Sequence, residues 1–218
     1  MINSLHLVWL PILFTCLYTL CPGPALAGGD PEPASAKHVL AFGDSLTAGY
    51  GLAAGDSFAS RLEQALVEQG HAVRVTNAGV SGDTTEGGLV RMDWSLEDRP
   101  DLVILELGAN DGMRGLPTDR MRANLEAMIE KCLAAGARVI LCGMRAPANY
   151  GPLYRYSFDQ VYPDLAEKYG IPLYPFFLEG VLTDPALVLD DGLHPNEQGV
   201  AEIVRRILPL VMEELDRV

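Results

Sequence analysis

The sequence is poor in the residues from which metal, redox and nucleotide sites are usually built. It has four histidines and four cysteines in 218 residues. No H-E-x-x-H pair and no C-x-x-C pair occurs, which excludes the common zinc and dithiol arrangements. No P-loop ending in Gly-Lys-Ser/Thr and no G-x-G-x-x-G is present, so the usual phosphate cradles are missing too. Neither a metal nor an organic cofactor is expected. Basic side chains are also few: 16 Lys and Arg stand against 29 Asp and Glu, for a net charge of -13. A surface of that sign repels nucleic acid and anionic membranes on average. No nucleic-acid partner is expected. No internal repeat and no long low-complexity run interrupts the chain.

Charge is wholly absent from residues 1–27. Leu5 to Leu20 are mostly apolar, Pro22 and Pro24 follow, and Ala25-Leu26-Ala27 closes the segment. This is the pattern of a cleaved signal peptide, although the basic n-region is missing. The prolines and the short apolar core argue against a stable membrane anchor. Leu20, just before Cys21, is not the small residue that a lipobox needs. The chain is therefore expected to be exported, to a periplasm or beyond. Residues 28–36, "GGDPEPASA", form a flexible lead-in, and residues 37–218 form one domain. After export Cys132 and Cys142 remain, on a helix and the strand that follows. A disulfide between them and two buried free thiols are both compatible with that compartment.

What is there is an alternation. His38–Phe42 is an apolar run stopped by Gly-Asp, a strand ending in a turn. Phe58, Leu62, Ala65 and Leu66 share a helical face before Gly70. Val73 and Val75 mark a second strand, and residues 84–96 a helix weakened at its start by Gly87 and Gly88. "DLVILELG", residues 101–108, is apolar except at Glu106, as in a strand covered on both faces. Met121, Leu125, Met128, Ile129 and Cys132 mark a helix that Gly136 ends. "ARVILCGM" and "IPLYPFF" are two more strands. Between them residues 158–169 form a helix that Pro163 kinks or restarts. Val200 to Val211 close the chain as a helix that Pro209 bends. Five strand–helix alternations predict an α/β fold with a five-stranded parallel sheet and helices on both faces. Ligands then bind beyond the carboxyl ends of the strands. Residues 43–51, 77–84, 108–112 and 190–195 all fall on that side.

Those stretches hold the chemistry. "LAFGDSLTAGYG", residues 40–51, reads either as a glycine-rich phosphate loop or as a strand end presenting Ser45 as a nucleophile. A serine nucleophile needs a base. His6 leaves with the signal, and His38 and His71 lie at the strand-entry side. Only His194, in "DDGLHPN", is on the productive side. Asp191, three residues earlier in a turn, is spaced to accept the His194 Nδ1–H, with Asp190 as the competing carboxylate. The same turn serves equally as a cap for the last helix, with Pro195 in its first turn. Three donors are available for an oxyanion: the Ser45 N–H, the Gly82 N–H in "SGDT" and the Asn110 amide in "GAND". Asp44 and Asp111 read better as loop holders that accept from backbone N–H groups.

Together these motifs resemble the four blocks of the SGNH (GDSL) hydrolase superfamily. "FGDSLTAGYGL", "NAGVSGDTT", "VILELGANDGMRGLP", "RAPANYG" and "DDGLHPN" are similar to its periplasmic acyl-CoA thioesterase I, lysophospholipase and arylesterase subgroup. The resemblance implies a flavodoxin-like three-layer α/β/α sandwich. It implies a triad of Ser45, Asp191 and His194, and an oxyanion hole of Ser45, Gly82 and Asn110. It implies small-molecule substrates, acyl esters and thioesters, with lysophospholipids suited to the exported compartment. It also implies a mobile substrate-binding segment, Gly112, Met113, Arg114, Gly115, Leu116 and Pro117. Ala146 stands where relatives often carry a larger apolar residue, which touches the acyl pocket. A carbohydrate acetylesterase on the same fold, and a flavodoxin-like flavin- or nucleotide-binding protein, are the alternative functions.

Overall fold

The computed structural model describes residues 36–218. The expected signal segment, 1–27, and the lead-in up to residue 35 lie outside the described residues. Five parallel strands, β1 (Lys37–Gly43), β2 (Val73–Gly79), β3 (Leu102–Glu106), β4 (Arg138–Cys142) and β5 (Leu173–Tyr174), form one sheet in the order β2-β1-β3-β4-β5. β1 and β3 are central and buried along almost their whole length, which accounts for their continuous apolar runs. β2 is an edge strand, and only Val73 and Val75 are buried in it, alternating with polar residues.

The helices cover both faces. α2 (Phe58–Glu68) starts at Ser57, whose hydroxyl accepts from the Ser60 N–H. Its buried side, Phe58, Ala59, Leu62 and Leu66, lies against the closing helix α8 (Glu197–Leu215). α3 (Thr85–Ser95) is capped by Thr84 and packs against α5 (Thr118–Ala134) on the other side. α8 is capped by Asn196, which accepts from the N–H groups of Gln198 and Gly199 at 3.0 Å each. Such a cap stabilises a helix by about 1 kcal/mol. Pro209 sits inside α8. The strand order with right-handed crossovers sends α2 to one face and α3 and α5 to the opposite one. It also places the change of chain direction between β1 and β3, where such sheets bind ligands.

Several local expectations are corrected. Residues 158–169 are not one helix: α6 (Gly151–Asp159) and α7 (Val161–Tyr169) meet at Gln160. Pro163 is the third residue of α7, where its missing N–H has no intrahelical acceptor to lose. β5 is two residues long because Pro172 and Pro175 bracket it and give the ladder no donors. Pro195 precedes the α8 cap and bridges to Val188 instead of opening the helix. Cys132 and Cys142 are both free and buried. Burial pushes the Cys132 thiol up to about 12, and burial with the nearby Glu106 carboxyl pushes the Cys142 thiol up as well, which disfavours the thiolate at both. Among the described residues no helix is long and apolar enough to cross a membrane.

Candidate active site

The register fixes the carboxyl edge of the sheet. Gly43, the last residue of β1, pairs with Gly79 on β2 and with Glu106 on β3. The chain then turns at once into a four-residue helix, α1 (Ser45–Ala48), with Asp44 as its cap. Asp44 Oδ1 accepts from the Leu46 N–H at 3.0 Å. Ser45 is thus the first residue of a helix set on a strand end. A Cβ on Gly43 would collide with the Thr47 hydroxyl and the Glu106 carboxyl. That close approach explains the glycine before Asp44 better than a phosphate does.

The loop before α8 brings the imidazole to the serine. His194 Nε2 lies 2.9 Å from Ser45 Oγ. His194 Nδ1 lies 2.6 Å from Asp191 Oδ2. A carboxylate only accepts, so Nδ1 carries the proton and Nε2 is the acceptor for the serine hydroxyl. The other Asp191 oxygen accepts from the N–H groups of Leu193 and His194, at 2.9 and 3.0 Å. These bonds hold the Asp191 carboxyl down at about 2, so it stays ionised. Asp191, not Asp190, makes the bond. The Tyr50 ring lies against the imidazole with centroids 4.5 Å apart.

Gly82 and Asn110 complete the rim. Both line the same cavity as Ser45 and His194, a space of about 770 Å³. Gly82 has φ 85°, a left-handed conformation that favours glycine. Asn110 lies in a short helix, α4 (Ala109–Met113), directly after β3. Its amide donates to Asp44 Oδ2 at 3.1 Å, which leaves a second amide hydrogen. Asp44 is almost fully buried, and that burial raises its carboxyl to about 6. Asp111 accepts from the backbone N–H and the hydroxyl of Thr85 at 2.8 and 2.7 Å. Asp44 and Asp111 are thus both loop holders, and Asp44 also grips Asn110.

The expected substrate segment divides. Met113 and Ala146 line the cavity, whereas Gly112, Arg114, Gly115, Leu116 and Pro117 do not. Gly112 is packed against Phe158 and Gly115 against Tyr150. Arg114 donates to the Gly82 carbonyl at 2.9 Å. Tyr150 and Tyr154 hydroxyls donate to the carbonyls of Met113 and Leu116. Met113 thus faces the cavity while its neighbours in 112–117 are held by Phe158, Tyr150 and Tyr154. Further apolar lining comes from Leu46, Tyr50, Met144, Phe176, Leu178 and Leu182. Phe176 and Leu178 follow the last strand. The apolar run in the sequence puts Phe176 inside that strand and marks neither residue, although a position beyond a strand's carboxyl end is the signal that could have found them. Arg91 was likewise unmarked. It donates to the carbonyls of Gly43 and Ala78 and to Asp83 at 2.7–2.8 Å, tying the ends of β1 and β2 to the turn that carries Gly82. Among the described residues no cluster of His, Cys, Asp or Glu is arranged to hold a metal.

The model of the GDSL-like lipase/acylhydrolase family matches residues 41–201. The chain belongs to this family. It is a hydrolase of ester bonds on the SGNH fold, which sets aside the flavin- or nucleotide-binding alternative. An arylesterase of Vibrio mimicus is 44% identical over 178 residues, 80% of this chain and 89% of that one. The thioesterase 1/protease 1/lysophospholipase L1 of Escherichia coli is 36% identical over 214 residues, 96% of each. A crystal structure of the psychrotrophic esterase EstA from Pseudoalteromonas sp., inhibited by monoethylphosphonate, superposes with a TM-score of 0.78 at 33% identity. It covers 83% of this chain and 99% of that one. The four expected motifs of this SGNH hydrolase lie at the ends of β1, β2 and β3 and before α8.

Proposed function

We propose that this SGNH hydrolase is an exported serine esterase and thioesterase acting through an acyl-enzyme on Ser45. Ser45 Oγ attacks the acyl carbonyl carbon as His194 Nε2 takes its proton. Asp191 keeps the imidazole in the correct tautomer and stabilises the imidazolium. The oxyanion is held by the N–H groups of Ser45 and Gly82 and by the free hydrogen of the Asn110 amide. Collapse of the tetrahedral intermediate expels the alcohol or thiol, which receives the proton from His194. Water, deprotonated by the same imidazole, then attacks the acyl-serine ester. Its collapse releases the acid and returns the proton to Ser45.

The observation that carries this reading is the continuous hydrogen-bond chain from Asp191 through His194 to Ser45, 2.6 and 2.9 Å long. The size and apolar lining of the adjoining cavity support an acyl chain longer than acetyl, and Ala146 in its wall leaves space there. Export supports exogenous esters, lysophospholipids among them, over cytosolic acyl-CoA as the natural substrates. The test is a chain-length series of p-nitrophenyl esters measured beside acetylated sugars, acyl-CoA and lysophosphatidylcholine. Turnover rising with chain length beyond acetyl is expected, with Ser45→Ala inactive on every substrate. Full turnover of any of them by Ser45→Ala contradicts the nucleophile assignment. A preference for acetylated sugars contradicts the substrate class. Fractionation of the native host places the protein outside the cytoplasm if the export reading holds.

A further inference from the structure

Glu106 is the one polar residue of β3, an otherwise apolar strand, and its side chain is wholly buried. It ends the strand beside Gly43 on β1 and Cys142 on β4. Its Oε2 accepts from the Thr47 hydroxyl at 2.7 Å and from the Asp44 N–H at 3.3 Å. Oε1 has no hydrogen-bond partner among the described residues. A buried, half-satisfied carboxyl costs free energy that an apolar side chain of similar size would not. Its position suggests what it does. The two groups it binds lie on either side of Ser45, one on the cap residue of α1 and one in its only turn.

α1 spans four residues, too few to hold their own geometry. Ser45 supplies both the attacking oxygen and, by its N–H, one oxyanion donor, so the tilt of this turn sets both at once. The Asp44 side chain grips Asn110, so the cap also sets a second donor.

We propose that Glu106 is a positioning residue for the reaction. By bridging the Asp44 N–H and the Thr47 hydroxyl it fixes the turn that presents Ser45, and through Asp44 it fixes the Asn110 amide. The inference rests on Ser45 being the nucleophile. Burial, reinforced by the neighbouring Asp44 carboxyl, pushes the Glu106 carboxyl up. A glutamine keeps an acceptor oxygen of the same reach for the Asp44 N–H and the Thr47 hydroxyl. A methionine keeps the volume and loses both bonds.

The experiment compares Glu106→Met, Glu106→Gln and Thr47→Val with the wild type. The readouts are kcat and KM on p-nitrophenyl butyrate, the rate of phosphonylation by an organophosphonate, and the thermal midpoint as proof of folding. Misplacing a reacting group by about 1 Å costs on the order of a hundredfold. Glu106→Met is expected to lower kcat and the phosphonylation rate together by about 10–100-fold, with KM within about twofold. Glu106→Gln is expected to restore both to within about threefold, and Thr47→Val to lower both by about 3–10-fold. A role in packing alone would lower the thermal midpoint and leave kcat and phosphonylation of the folded enzyme unchanged, which overturns the inference. If Glu106→Met does not fold, Thr47→Val decides, and an unchanged phosphonylation rate there overturns it. A wild-type enzyme not phosphonylated on Ser45 defeats the nucleophile assignment itself. A wild type labelled on Ser45 with Glu106→Met labelled equally fast defeats this inference alone.

Discussion

Two imidazoles face two hydroxyls at opposite ends of the sheet. At the carboxyl edge His194 Nε2 lies 2.9 Å from Ser45 Oγ. Near the start of β1 His38 Nε2 lies 2.8 Å from Thr76 Oγ1. The distances are almost the same, and each pair lines a cavity, of about 770 and 300 Å³. The surroundings differ. His194 Nδ1 has a carboxylate, whereas His38 Nδ1 has no partner among the described residues. Asp101, the carboxylate next to His38, accepts from its backbone N–H instead of its ring. Ser45 opens a helix beside Gly82 and Asn110, whereas Thr76 lies within a strand. The two hydroxyl–imidazole contacts thus differ in what surrounds them: only the Ser45 pair has a carboxylate to fix the tautomer and sits beside groups placed to donate to an oxyanion, as the proposed mechanism needs.

Deleting each hydroxyl separates the two pairs most. Ser45→Ala is expected to lower kcat by about 10⁴–10⁶-fold, and Thr76→Val to leave ester turnover within about twofold. Next is the carboxylate that only one imidazole has. Asp191→Asn is expected to cost about 10³–10⁴ in kcat, because the amide no longer enforces the tautomer. The bonds that hold Asp191 at about 2 keep it ionised through the working range. The acid side of the wild-type pH–rate profile is thus expected to show no separate limb from Asp191 above about pH 3. Asn110→Ala removes one oxyanion donor and is expected to lower kcat by about 10²–10³ with KM little changed.

The two ends also differ in their response to pH. Burial raises Asp44 to about 6 in the folded chain. Its neutral form is compatible with folding below the unfolded value of 3.8, and the stability is lost as pH rises through about 6. Asp44→Asn is therefore expected to be relatively more stable against urea at pH 7 than at pH 4, by about 1–3 kcal/mol relative to wild type. His38 behaves in the opposite sense. Burial, with Arg74 nearby, lowers its value below 6.5, so its contribution is present above 6.5 and lost as pH falls. His38→Gln is expected to show the smallest effect: a weaker loss of stability between pH 7 and pH 5, with ester turnover unchanged.

Much of this was legible in the sequence because it is periodic or because it needs a rare residue. β1 from Val39 to Phe42 and β3 from Leu102 to Leu105 are continuously apolar since both faces are covered, and only one histidine follows the sheet to its productive edge. α1 and α4 were not legible: four and five residues carry no period. α6 was missed because Leu153 and Tyr156 are exposed and only Phe158 is buried, so no apolar face repeats. The resemblance implies that Gly112–Pro117 is a mobile substrate segment; that Gly112 lies against Phe158 and Gly115 against Tyr150 is not legible in the sequence, because those rings come from a distant stretch of chain. Glu106 was visible as an exception in an apolar run. Its role depends on the register that puts it beside Gly43, which the run alone does not contain.

The most direct measurement is peptide mapping by mass spectrometry after treatment with an organophosphonate. The account predicts a single adduct on Ser45 that develops in step with the loss of ester turnover, with Thr76 unmodified. Complete loss of turnover with the adduct on another residue, or full turnover with Ser45 completely phosphonylated, would contradict it.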